Sequence, residues 1–281
     1  MAMFAARNRR RVAARSAALL FALPALLGGC AFDAADQFAQ QYGQYLDTRD
    51  DIASFRLSPN NAILSRGSVD SQITLNDGMS DTQVAATARE LVEHHVDTKI
   101  DEHRIRLFFD AHNPAGQAAS VSIQLQPGSA VSRMSDPSQY LQWVSRTRAL
   151  AADTEGLKSI MVFKDAIHLD TSSEAVQAAE HLNAFVGVNP AGISYQNVGA
   201  TDCNLQWDTD DDISKLFVYR DVLALLPPGV QPLHCRITSQ RPITEPNFEA
   251  VLPRDTSDQV VTAMRARAAE LALPADITVA P

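Results

Sequence analysis

The densest run of ligand-type side chains in this chain is Glu90, Glu93, His94, His95, Asp97, Asp101, Glu102 and His103. Glu90 and His94 are four residues apart and would share a helix face, as two metal ligands can, with His103 as a third at no motif spacing. Glu90, His94 and His103 are therefore the metal candidates, set against the plainer reading of a solvated helix end followed by a charged turn, and no cofactor is expected. Asp208, Asp210, Asp211 and Asp212 invite comparison with a calcium loop, but the sixth and twelfth positions hold Ile213 and Tyr219 instead of glycine and glutamate. Acidic residues there are expected to cap a helix N-terminus. Gly-x-Ser-x-Gly, Ser-x-x-Lys, His-Glu-x-x-His, P-loop and Gly-x-Gly-x-x-Gly patterns are all missing from the sequence, so no catalytic residue is assigned. Trp207 falls in phase with Leu205 on a core face, whereas Trp143 sits off its helix stripe and is the candidate contact aromatic.

The cysteines carry the other legible chemistry. Leu27-Gly28-Gly29-Cys30 follows a basic segment (Arg7, Arg9, Arg10, Arg11, Arg15) and an apolar stretch from Ala17 to Leu27 that is too short to span a bilayer. The arrangement resembles the signal of bacterial lipoproteins. That resemblance implies cleavage between Gly29 and Cys30, lipidation of the Cys30 thiol and an extracytoplasmic, membrane-attached protein. Arg9-Arg10-Arg11 raises twin-arginine export as an alternative, but lacks the Ser or Thr before the pair and the Phe-Leu after it, so general secretion is the expectation. It covers residues 1–30 only, and the remainder resembles no family that can be named. With Cys30 so occupied, Cys203 and Cys235 are left as a pair that could bridge in an oxidising compartment or remain two buried thiols.

Cleavage would remove five arginines and no acids, leaving 19 basic against 33 acidic residues, a formal charge of −14. Such a surface excludes nucleic acid as a partner and is repelled by anionic headgroups, so the acyl chains must hold the membrane. An envelope protein or the cell wall is the remaining partner class.

The elements that must position these residues recur with one theme: a short alternating strand, a capping segment, an amphipathic helix and a second strand. Five such units are expected, opening on strands centred at Ile73, Ile123, Ile167, Leu205 and Val251. Val121, Ile123 and Leu125 alternate with Ser122 and Gln124, which is the pattern of a sheet covered by helices on one face. Ser80 with Gln83, Thr171 with Glu174, and Thr256 with Gln259 have capping-box spacing, and Asp136-Pro137 reads as an N-cap followed by proline at N1. Predicted helix stripes include Leu141, Val144 and Leu150, and a long apolar helix from Ile213 to Leu226, ended by Pro227-Pro228-Gly229. Asn189-Pro190-Ala191-Gly192 ends the preceding helix, Lys164-Asp165 turns a hairpin, Asp33 to Tyr45 forms a short helix, and Phe55 to Leu64 adds an edge strand or hairpin.

The expected fold class is α/β (α+β): tandem βαβ units forming ferredoxin-like sandwiches, with helices on one face of mixed or antiparallel sheets and right-handed crossovers. The expected divisions are a signal peptide (1–29), a tether with a helix or hairpin (30–65), a ferredoxin-like βαβ pair (66–165) and further βαβ units (166–281). In that interleaved order a third strand separates the two strands of each unit, which would hold Cys203 and Cys235 roughly 10 Å apart. The functional expectation is a lipid-anchored, non-catalytic binding or scaffold module. The alternatives are an envelope hydrolase or metal-dependent enzyme centred on the 90–103 cluster, and a substrate-capture lipoprotein serving a transporter.

Overall fold

The computed structural model describes residues 33–61, 66–125, 137–163, 166–187, 193–239 and 247–281. The Leu27-Gly28-Gly29-Cys30 segment, Asp136, Lys164-Asp165 and Asn189-Pro190-Ala191-Gly192 lie outside the described residues. The chain begins with α1 (Ala34–Asp47) and the edge strand β1 (Ile52–Asn60). Five units follow: β2 (Ser68–Leu75), α2 (Asp81–Glu93) and β3 (Glu102–His112); β4 (Ala118–Leu125), α3 (Pro137–Asp153) and β5 (Leu157–Val162); β6 (Ala166–Thr171), α4 (Ala175–Gly187) and β7 (Tyr195–Gly199). The fourth is β8 (Asn204–Asp208), a 3-10 turn (Ile213–Lys215), α5 (Tyr219–Leu223) and β9 (His234–Thr238), and the fifth is β10 (Asn247–Leu252), α6 (Asp258–Glu270) and β11 (Ala275–Val279).

The eleven strands of the described residues form one sheet in strictly sequential order, parallel within each unit and antiparallel between units. The protein is thus α/β with a mixed sheet, but its units are not interleaved as a ferredoxin-like order requires. Each helix returns the chain to the adjacent strand, and each hairpin hands it on to the next unit. Facing residues such as Ile73, Leu107 and Ile123 continue across the sheet as Leu169, Val198, Leu205 and Ile237, all buried on one face. The described helices pack on that face and contact their neighbours along it. Consecutive crossovers therefore run in opposite directions with their helices on the same side, so neighbouring crossovers have opposite hand and cannot all be right-handed. The sheet and its hydrophobic core also run without a break past residue 165, through the antiparallel β5–β6 pair.

Local signals explain most of the elements. Ser80 accepts from the Gln83 amide while Gln83 Oε1 accepts from the Ser80 amide, a complete capping box for α2. Two expected caps shift. Ser257 caps α6 in place of Thr256, and Thr171, the last residue of β6, donates to the Glu155 carbonyl. The Ala175 amide that opens α4 donates to Asp202, 27 residues away in sequence. The predicted helix from Ile213 to Leu226 is instead the 3-10 turn and the five-residue α5, because Leu216, Tyr219 and Val222 are buried at three-residue spacing.

On α3 the buried stripe is Tyr140, Trp143, Val144, Thr147, Leu150 and Ala151. Trp143 is consequently a core residue, edge-on to Phe185, and not a surface contact, while Leu141 is turned outward. Arg148 on the flank of this helix donates to the Met79 and Asp110 carbonyls and pairs with Asp81 at 2.7 Å and Asp110 at 3.2 Å. One guanidinium thereby fastens α3 to the start of α2 and the end of β3. Arg148→Met is expected to lower the unfolding free energy by about 2–3 kcal/mol, since two carbonyls and two carboxylates lose their donor. Denaturant titration checks this, and a midpoint within error of the parent protein would refute it.

Candidate functional site

The chain brings Glu90, His94 and His103 to one region, where α1 lies against β2, β3 and the end of α2. They do not form a ligand set there. Glu90 pairs with Arg49 at 2.7 Å. His94, the C-cap of α2, stacks on Tyr45 with ring centroids 3.5 Å apart and planes 3° from parallel. His103 Nε2 lies 2.8 Å from Ser71 Oγ, and its ring meets Phe38 and Tyr42 edge-on at 4.8 and 4.7 Å. Among the described residues no group of three or more His, Cys, Asp or Glu side chains is placed to hold a metal ion.

The cluster instead fastens α1 to the sheet. Phe38, Tyr42 and Leu46 recur at four-residue spacing and are buried, and Tyr42 donates to the Leu91 carbonyl at 3.1 Å. Burial pushes the Tyr42 phenol well above its ordinary range. Arg49, just past α1, donates twice to Asp51, once to Tyr45 Oη and ion-pairs with Glu90, and these hydrogen bonds hold it charged. The same guanidinium keeps the Asp51 carboxyl below its usual range, with Thr87 donating to it as well. Burial lowers His103 to about 4, so it is a neutral imidazole at ordinary pH. His94 is lowered too, first by burial and then by His95 and Arg49. Ser71 is 1% exposed, so the Ser71–His103 pair is closed to a substrate and is a structural contact rather than a nucleophile and base.

Cys203 and Cys235 form a disulfide, with Cα atoms 4.6 Å apart. They stand opposite each other on adjacent parallel strands, one residue before the Asn204–Arg236 pair. The interleaving that would have separated them is absent. Asp212 accepts from the Ser214 amide and caps the 3-10 turn, and Asp211 accepts from the Asp208 amide and from Ser239 Oγ, so this acidic run organises a turn. Trp207 is fully buried on the core face.

The face of the sheet opposite the helices carries a second concentration of polar groups. Its β1–β4 end holds a cleft of about 230 Å³, lined by Ser58, Asp70, Gln72, Arg104, Arg106 and Gln124 among others. Arg104 lies 3.0 Å from Asp70 and 3.5 Å from Glu102. Strand register aligns Arg56, Gln72, Arg106 and Gln124 in one row across four strands. Sequence reasoning missed this row because it depends on register between strands. The one sequence signal was Arg104-Ile105-Arg106, two cations on the wet side of a strand in an acidic protein. Comparison with protein-family models, with curated proteins and with solved structures finds no match to this chain.

Proposed function

We propose that this protein is an extracytoplasmic lipoprotein, held at the membrane through Cys30 and presenting a non-catalytic binding or scaffold module. The carrying observation is Leu27-Gly28-Gly29-Cys30 behind its basic and apolar segments. The Cys203–Cys235 bridge supports the reading, since structural disulfides persist in oxidising compartments. Acyl chains supply the membrane affinity that an acidic chain lacks, at about 0.8 kcal/mol per buried CH₂. Four residue steps from Cys30 to Ala34 reach about 14 Å at most, so α1 starts close to the bilayer. The tight fastening of α1 then transmits the anchor to the whole sheet.

Glu90, His94 and His103 serve the fold in this reading, through Arg49, Tyr45 and Ser71. Cys30→Ser is expected to move the protein from the detergent phase to the aqueous phase on phase partition and to abolish the acyl mass on the N-terminal peptide. An unmodified Cys30 in the parent protein would refute the anchor.

A further inference from the structure

We infer that the cleft on the open face of β1–β4 binds a carboxylate-bearing polar ligand, with Arg106 taking the carboxylate and Gln72 and Gln124 its neutral polar groups. The inference deepens the binding-module reading and rests on it, but not on the lipid anchor.

Two arginines of this face, Arg56 and Arg106, have no carboxylate partner among the described residues, although acids outnumber bases in the chain by 33 to 24. What sets Arg106 apart is its place, lining the cleft between Gln72 and Gln124 on the neighbouring strands. Arg104, one row away, shows the contrast: Asp70 and Glu102 both attend it. Arg106 is also held in place, with its guanidinium over the Phe163 ring at 6.0 Å. A positioned, planar guanidinium with free donors suits bidentate capture of a carboxylate.

The cleft's charge sets the ligand class. Asp70 and Arg104 cancel within the lining, which leaves the single positive charge of Arg106, while Arg56 stands on the neighbouring strand beyond Gln72, roughly 10 Å away at two strand spacings. One cation beside the Asp70 carboxylate favours a monoanion over a doubly charged phosphate. Gln72 and Gln124 flank Arg106 on either side in the same row, each offering an amide donor and acceptor to hydroxyl or amide groups next to the carboxylate. A cleft of about 230 Å³ takes one sugar acid or one acylated amino-acid residue, and an open sheet face lets a longer chain continue beyond it.

The test is calorimetric titration of the full-length protein in detergent with glucuronate and N-acetylalanine, their neutral counterparts glucose and N-acetylalaninamide, and inorganic phosphate. Binding of one or both carboxylates with Kd near or below roughly 1 mM is expected, with no heat from the neutral compounds and weaker binding of phosphate. The tighter carboxylate identifies the source as glycan or peptide. Arg106→Gln should weaken binding about tenfold or more at unchanged thermal stability. Asp70→Asn, which removes the one carboxylate of the cleft lining, should tighten it several-fold, a gain that a damaged fold cannot produce, and Arg254→Gln on an exposed turn should leave it unchanged. Binding of phosphate alone, no carboxylate binding, or an Asp70→Asn variant no tighter than the parent would each overturn the assignment. Phase partition of the same samples reports anchoring separately, so failure of the cleft and failure of the lipoprotein reading are distinguishable.

Discussion

Reducing the Cys203–Cys235 disulfide, or replacing both cysteines by serine, is expected to lower the unfolding free energy by about 3–4 kcal/mol. The bridge closes a loop of 32 residues, and chain-entropy scaling for a loop of that length gives this magnitude. The position makes the effect large. The β8–β9 pair has only three residue pairs in register, Asn204 with Arg236, Leu205 with Ile237 and Gln206 with Thr238. Its crossover is a 3-10 turn and a five-residue helix, segments far too short to hold helical structure alone. The fourth unit thus combines the fewest paired residues of the parallel pairs with the least regular crossover, and it is the one carrying a covalent link. Denaturant titration with and without reductant measures the loss, and amide exchange should show it concentrated between residues 203 and 238. Coincident midpoints under the two conditions would sink the expectation.

Acidification should destabilise the protein through His103 by about 3 kcal/mol in total. His103 is lowered from 6.5 to about 4 in the folded state, so the unfolded chain binds a proton that the folded chain refuses. Stability is fully present above pH 6.5 and falls by about 1.4 kcal/mol per unit as the pH drops toward 4, then levels off. The groups facing the ring are Ser71, Phe38 and Tyr42, none of which can stabilise an imidazolium as a carboxylate would. His94 is lowered as well and adds in the same direction, whereas Asp51, held down by Arg49, contributes its loss at lower pH. Unfolding midpoints between pH 7 and 4 should show this slope in the parent and a flatter profile in His103→Gln. An imidazole titration of His103 near 6.5 in the folded protein would defeat the prediction.

Much of the fold was legible because it is local. Alternation at Ile73, Ile123, Ile167, Leu205 and Val251 marked the strand that opens each unit, and Ser80 with Gln83 marked a helix start whose cap lies within four residues. Strand order was not legible, since a strand with one wet and one dry face shows the same alternation whichever strand lies beside it. The pairing of Cys203 with Cys235 inherited that blindness, because bridging depends on which strands are adjacent. On α3 the expected Val144 and Leu150 are buried, but Leu141 is not; Tyr140, Trp143, Thr147 and Ala151 complete the stripe, which turns Trp143 inward. The distant cap from Asp202 to Ala175 and the row from Arg56 to Gln124 exist only once the sheet has formed.

A sheet laid down in chain order has a mechanical character. Its first and last strands occupy opposite edges, so tension between the two ends of the chain pulls across the strands instead of along them. Under such a load hydrogen bonds open one after another, like a zip, and the sheet peels from either edge at low force. The segment inside the disulfide is exempt, because the covalent link carries the load across the fourth unit and keeps its 32-residue loop from lengthening. What yields first is then an edge, with α1 and β1 at one side and β11 at the other, and what cannot be drawn out is the loop that the disulfide closes.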